Sequence, residues 1–289
     1  MCERLVSLGT VQGVRYRRAT VVALVVLAAA AAAGAAILHQ SRDLDEPIQS
    51  VALSGTVHAR VVLPPGYAQS KKRYPVVYFL HGLPASAASY QGNDWLIDAL
   101  EQAGPAILVI PQGARGDDTD PEYLNWGAGR NWETYVATEV PRYIDAHFRT
   151  IRSRSGRAIV GVSAGGYGAM ILGLHHLSRF SVIESWSGYF HPTDPTGTVS
   201  LPREPAASAR NLVGDLRSDE KSEPTFIAFY VGRSDNRFRP DNLRFDAQLR
   251  AARVPHTFDV YPGAHTTSLW QAHGTVWLRL ALAHLSAPR

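Results

Sequence analysis

From residue 57 onward, two hydrophobic rhythms take turns along the chain. Short apolar runs alternate with longer stretches in which apolar positions recur every three or four residues. The run VHARVVL (57–63) switches between apolar and polar positions, as a half-buried strand does, and stops at the turn Pro64-Pro65-Gly66. The runs PVVYFL (75–80), AILVI (106–110), RAIVGV (157–162), VIESW (182–186), TFIAFYV (225–231) and TFDVY (257–261) are mostly apolar, as strands buried on both faces are. Helical spacing predicts helices over 94–103, 132–148, 164–177, 241–252 and 269–285. Strands alternating with helices specify an α/β fold, a mostly parallel central sheet with helices on both faces. The stretches 111–130 and 187–223 are rich in Gly, Pro, Asp and Ser and follow strands. They are expected to be loops at the C-terminal edge of the sheet, where the sites of open α/β sheets form.

The first 55 residues break this rhythm. Residues 20–38, TVVALVVLAAAAAAGAAIL, carry no charge. As a hydrophobic helix they would span roughly 28 Å, close to the thickness of a bilayer's hydrocarbon core. Residues 1–19 hold Arg4, Arg15, Arg17 and Arg18 against Glu3, so they read as a basic cytoplasmic tail. Residues 20–38 are then a transmembrane signal anchor, or a signal peptide cut near Ala33 to Ala36. Residues 39–55 read as a polar linker and 56–289 as the catalytic domain. This organisation places the catalytic domain outside the cell, anchored to the membrane through the N-terminal helix or secreted after cleavage.

Composition narrows the chemistry. The formal net charge is +4 over 289 residues, but residues 1–19 hold +3 of it. The body is near neutral and has no Lys/Arg block, so nucleic acid is not an expected partner. The single cysteine, Cys2, excludes an intrachain disulfide and a cysteine-based metal site. His175 and His176 are adjacent within a predicted helix and are expected to face apart, against a metal pair. No metal and no organic cofactor is implied.

The strongest local motif is Gly161-Val162-Ser163-Ala164-Gly165, which follows a buried strand and opens a helix. That context suits a nucleophile elbow, where a sharp turn aims a serine hydroxyl out of the sheet. Glycines two before and two after the serine remove side chains where the turn is crowded. A dinucleotide loop fits less well, since G-x-G-x-x-G spacing is missing, and no lysine follows for a phosphate loop. A serine hydroxyl needs a base, and the base needs an orienting acid. In the α/β-hydrolase fold the order is serine, acid, histidine. His265, in Gly263-Ala264-His265 between the last strand and last helix, suits the base. Asp235, in the turn Gly232-Arg233-Ser234-Asp235 after a strand, suits the acid; Asp241 and Asp246 fall on the following helix. The helix N-terminus offers the N–H of Ala164 to an oxyanion, and His81-Gly82-Leu83-Pro84 offers that of Leu83. His81 is expected to support this loop.

These residues resemble the putative-esterase family of α/β hydrolases. That family includes esterase D-like thioesterases, feruloyl and enterochelin esterases and bacterial mycolyltransferases. The resemblance covers roughly residues 50–285. It rests on YPVVYFLHG (74–82), WETY (132–135) with Glu139-Val140-Pro141, GVSAGGYGA (161–169), GRSD (232–235) and GAH (263–265). It implies Ser163, Asp235 and His265 as catalytic residues, with Leu83 and Ala164 as oxyanion hole. The expected activity is that of an exported serine esterase acting on a small-molecule or lipid ester. An acyltransferase with the same triad is the close rival, and a non-catalytic binding protein on a hydrolase fold is the distant one. Trp126, Arg130, Tyr167 and Trp270, with Asn125, are candidates for the substrate pocket.

Overall fold

The computed structural model describes residues 42–120, 122–192 and 207–289. Leu44–Arg289 form one compact unit. The strands are β1 (Asp43–Ser50), β2 (Gly55–Val62), β3 (Val76–Leu80), β4 (Ile107–Pro111), β5 (Arg157–Val162), β6 (Val182–Trp186), β7 (Phe226–Gly232) and β8 (Thr257–Tyr261). They form one sheet in the order β1-β2-β4-β3-β5-β6-β7-β8. β2 runs antiparallel to β4, and every pairing from β4 to β8 is parallel. The order reverses at β3, so the chain crosses from one half of the sheet to the other there.

The helices are α1 (Trp95–Ala103), α2 (Val140–His147), α3 (Ala164–His175), α4 (Ala209–Ser222), α5 (Arg239–Ala251) and α6 (Thr267–Ala283). The apolar strands β3 to β7 are buried on both sides because each side has its own core, whereas β8, at the edge of the sheet, is only partly buried. Val76, Tyr78, Leu80, Ile159, Ile183 and Phe229 pack with the residues of α2, α3, α4 and α5. Val77, Phe79, Val160, Val182, Trp186 and Tyr230 pack with α1 and α6. Successive residues of one strand thus enter opposite cores, as the pleat requires.

Three elements depart from the sequence-based expectation. Residues 39–55 are not simply a linker, since β1 occupies 43–50. Its sequence, DLDEPIQS, is polar and contains a proline, as edge strands can. It is held by distant groups: Glu139 accepts the Val51 and Ala52 N–H groups and the Ser50 hydroxyl. The expected helix over 132–148 is a helical turn (Trp132–Thr134), a π-helical turn (Tyr135–Glu139) and then α2. Pro141 has no N–H to return to the previous turn, which suits the wider spacing there. The expected loop 187–223 contains α4, whose buried stripe is only Ala209, Val213 and Leu216. Gly214 in its middle weakens the local helical signal further. The apolar run 20–38 lies outside the described residues. Among those described, no helix is long and apolar enough to cross a membrane.

Most strands end at the same edge, and the topology brings four loops together there. Leu80 of β3 lies opposite Gly161 of β5, Val162 of β5 opposite Trp186 of β6, and Gly232 of β7 opposite Tyr261 of β8. The residues immediately beyond these positions carry the candidate chemistry.

One buried group makes stability depend on pH. Glu184 of β6 has no exposed surface and lies between Val160 and Ala228 on neighbouring strands. Burial pushes its carboxyl from 4.5 up to about 8, against the Trp186 indole N–H, which donates to Oε2 at 3.0 Å. The folded state therefore prefers the protonated form. Its contribution to stability is complete below pH 4.5, declines as pH rises, and is gone above about 8. Each unit is worth about 1.4 kcal/mol, so the decline is on the order of a few kcal/mol. Glu184→Gln keeps the neutral shape and cannot ionise. Melting temperatures from pH 5 to 9 should fall less steeply for Glu184→Gln than for wild type. Parallel profiles would contradict this account.

Candidate active site

Ser163 joins β5 to α3 with φ 57° and ψ −122°. A side-chain-bearing residue reaches this region only under strain, and surrounding packing must hold it there. A Cβ at Gly161 would fall 2.0 Å from the Gly165 carbonyl oxygen, and one at Gly165 would fall 2.0 Å from that of Leu80. Neither position can carry a side chain without opening the turn. The Ser163 N–H donates to the Trp186 carbonyl at 2.9 Å, which fixes the turn to the end of β6.

His265 lies between β8 and α6, just after Gly263, whose φ is 139°. Its Nε2 is 2.9 Å from Ser163 Oγ, and its Nδ1 is 2.8 Å from Asp235 Oδ2. A carboxylate only accepts, so Nδ1 carries the proton and Nε2 is left to accept from the serine hydroxyl. Asp235 is buried in the turn after β7. Its Oδ1 accepts the Phe238 N–H at 3.0 Å, leaving Oδ2 aimed at the imidazole. Asp241 is engaged elsewhere, with the Phe190 N–H and His191. Asp246 pairs with Arg250 and His256. Asp235 is thus the carboxylate beside His265.

The loop after β3 closes over Ser163. A Cβ at Gly82 would sit 3.0 Å from Ser163 Cβ, so only glycine lets the backbone come this near. Leu83 and Ala164 both line the cavity beside Ser163. His81 braces this loop from below. Its Nδ1 donates to the Gly82 carbonyl at 3.1 Å, and its Nε2 accepts the Gly113 N–H at 3.2 Å. Burial pushes its pKa below the usual histidine value, which matches a neutral ring in that role. The Tyr123 hydroxyl donates to the His81 carbonyl at 2.7 Å.

The cavity measures about 350 Å³. Leu83, Pro84 and Ala85 form one wall, with Tyr189 and Phe238 also in the lining. Asp120 and Arg237 add charge of both signs. The five residues expected in the pocket wall are not among those lining this cavity. Arg130 is held by both oxygens of Asp118, and its guanidinium lies over the Trp126 ring at 5.1 Å. Asn125 accepts the Thr134 N–H. Tyr167 is fully buried, donates to the Ala207 carbonyl and stacks on Tyr189 at 5.0 Å. Trp270 stands edge-on to His265 at 5.3 Å but is not part of the cavity lining. Their aromatic and polar character marked them in the sequence, yet their partners lie within the protein. Phe238 and Tyr189 were missed because nothing local distinguishes them from core aromatics. The position of Phe238, three residues past Asp235, was the one available signal.

His175 and His176 also differ from expectation. Both reach Glu133 Oε1, each at 3.0 Å. Facing apart holds only within a helix, and His176 has already left α3, with φ −126° and ψ 45°. Burial would raise the Glu133 carboxyl, but the two imidazoles outweigh it and bring it down to about 2.

Comparison with known proteins agrees with this architecture. An esterase of Mycobacterium tuberculosis is 32% identical over 141 residues, 48% of this chain and 31% of the relative. A diacylglycerol acyltransferase/mycolyltransferase, Ag85B of Mycobacterium avium, is 31% identical over 135 residues, 43% of this chain and 38% of the relative. The matches therefore span about a third of these relatives' lengths. A solved ferulic acid esterase superposes with a TM-score of 0.70 at 25% identity, covering 84% of this chain and 98% of that one. The family model described as Putative esterase matches residues 50–274. A match of that extent, on a sheet with this topology, makes the chain a member of the putative-esterase family.

Proposed function

We propose that this protein hydrolyses carboxylic esters through an acyl-enzyme on Ser163. The observation that carries the reading is the unbroken chain Ser163 Oγ, His265 and Asp235, with both links under 3 Å. Ser163 Oγ attacks the ester carbonyl as His265 Nε2 takes its proton. The carbonyl oxygen becomes an oxyanion beside the N–H groups of Leu83 and Ala164, at the N-terminus of α3. Asp235 holds the imidazole and balances its charge. The tetrahedral species expels the alcohol, which leaves with the proton from Nε2. Water then repeats the sequence at the acyl carbon and releases the acid. These steps need no cofactor. A connected trio of this kind argues against a purely binding role.

Transfer of the acyl group to an alcohol is a second reading, favoured by the relative named as a mycolyltransferase. Both reactions share the acyl-enzyme, and the outcome depends on whether water or a bound alcohol meets it first. The cavity of about 350 Å³ suits a short or medium acyl ester. Residues 1–41 complete the reading. Arginines followed by 19 uncharged residues suit a segment that delivers the hydrolase across a membrane, as an anchor or a cleaved signal.

The Ser163→Ala variant should lose turnover of p-nitrophenyl butyrate by a factor on the order of 10⁶. Asp235→Asn should stay folded and lose roughly 10⁴, because the wrong imidazole tautomer is favoured. A fluorophosphonate that labels any residue other than Ser163, or near-normal rates for Asp235→Asn, would sink the assignment.

Incubation with a butyrate ester in buffer should give free acid as the main product, with or without millimolar trehalose. Dominant acyl-sugar with negligible free acid would reverse the choice in favour of transfer.

In spheroplasts carrying the full chain, external protease should digest residues 50–289. Protection of that region while a cytoplasmic marker also stays intact would refute export.

A further inference from the structure

His265 is carried by a short link between β8 and α6, and a single side-chain bond, to Asp235, holds its far nitrogen. A ring held at one point can tilt about that point. A tilt of a few tenths of an ångström would spoil the 2.9 Å approach of Nε2 to Ser163. Two aromatic rings limit that motion. Phe238 stands 5.0 Å from the imidazole at 61°, and Trp270 stands 5.3 Å away at 88°. Phe238 is itself fixed by burial, by stacking on Tyr189 and by its N–H on Asp235. It also lines the cavity, so it doubles as a wall for the substrate.

Trp270 is different, because it touches the base without lining the cavity. Its indole N–H donates to Ser187 Oγ at 3.1 Å. Ser187 is fully buried and held at φ 51°, an uncommon conformation for a residue with a side chain. Its own N–H donates to the Tyr230 carbonyl at 2.7 Å. Ser187 immediately follows Trp186, whose carbonyl receives the Ser163 N–H. The support of the base and the backbone of the nucleophile thus converge on two consecutive residues at the end of β6.

We propose that Trp270, tethered to Ser187, is a positioning residue that sets the tilt of His265 toward Ser163. The proposal rests on the reading of His265 as the base. It assigns Trp270 to the support of the reaction rather than to recognition of the ester. The tether is specific to the indole N–H, so phenylalanine at this position keeps a ring and loses the anchor.

Steady-state kinetics on p-nitrophenyl butyrate and fluorophosphonate labelling rates test it on the full chain. Trp270→Phe and Ser187→Ala should each lower kcat and the labelling rate by about 3- to 10-fold, with KM held within about twofold. The double variant should be no slower than the slower single, because both remove one interaction. Trp270→Ala should cost about 100-fold; melting curves check that it folds, and the two milder variants decide if it does not. A rise in KM at unchanged kcat would make Trp270 a substrate wall and overturn the proposal. Wild-type rates for both milder variants would do the same. His265→Gln is the control. If it is inactive while Trp270→Phe and Ser187→Ala are normal, the positioning role alone fails. If His265→Gln turns over normally, the assignment of the base fails, and the proposal with it.

Discussion

The left-handed turn at Ser163 constrains almost everything around it. A residue with a side chain held in that region costs about 1–3 kcal/mol, and only a packed environment maintains it. The turn leaves no space at 161 or 165, and it brings the end of β3 into contact with the start of α3. Gly82 then has to pass within van der Waals reach of the serine. The loop that follows β3, the strand that carries the serine and the end of β6 are therefore fixed by one small piece of backbone. Rigid strand ends can hold reacting groups to within a few tenths of an ångström, which long flexible loops cannot.

Around this turn the protein uses its polar side chains as internal fasteners. Asp118 collects Arg130 and the Trp132 indole N–H, which ties the 111–130 loop to the turn that leads into α2. His81 and Tyr123 join the β3 loop to the β4 loop. Glu122 takes the Tyr189 hydroxyl on both oxygens, and Tyr189 in turn stacks on Tyr167 and Phe238. Residues that look like ligand contacts in a loop sequence are here spent on holding the loops. The cavity wall is left to less conspicuous residues such as Leu83, Pro84 and Phe238.

What could be read from the sequence follows from the range of the forces involved. The seven strands from β2 to β8 and the glycine-flanked serine were legible because burial and steric crowding act on neighbouring residues. His265 and Asp235 were legible because the fold fixes their places relative to strand ends, and the geometry brings both to Ser163. β1 was not legible, since its polar sequence is held by Glu139, almost ninety residues away. α4 was not, since three buried residues on a charged segment give little periodic signal. The direction of Arg130 was not legible, since it depends on which acidic residue of its own loop, Asp118, captures it. The direction of Trp270 was not legible either, since its indole N–H is taken by Ser187, more than eighty residues away.

The joint between Glu133 and the two histidines has a consequence for behaviour in acid. Ordinary carboxylates lose their charge in the range where organic acids accumulate, and their ion pairs dissolve with them. Glu133 keeps its charge down to about 2. Its contribution to stability is complete above the ordinary value of 4.5, shrinks as pH falls below that, and is gone below about 2. Glu133 stands at the start of the segment before α2, and His175 and His176 stand at the end of α3. The helix that begins at the nucleophile therefore keeps its far end clamped in surroundings sour enough to loosen much of the remaining surface.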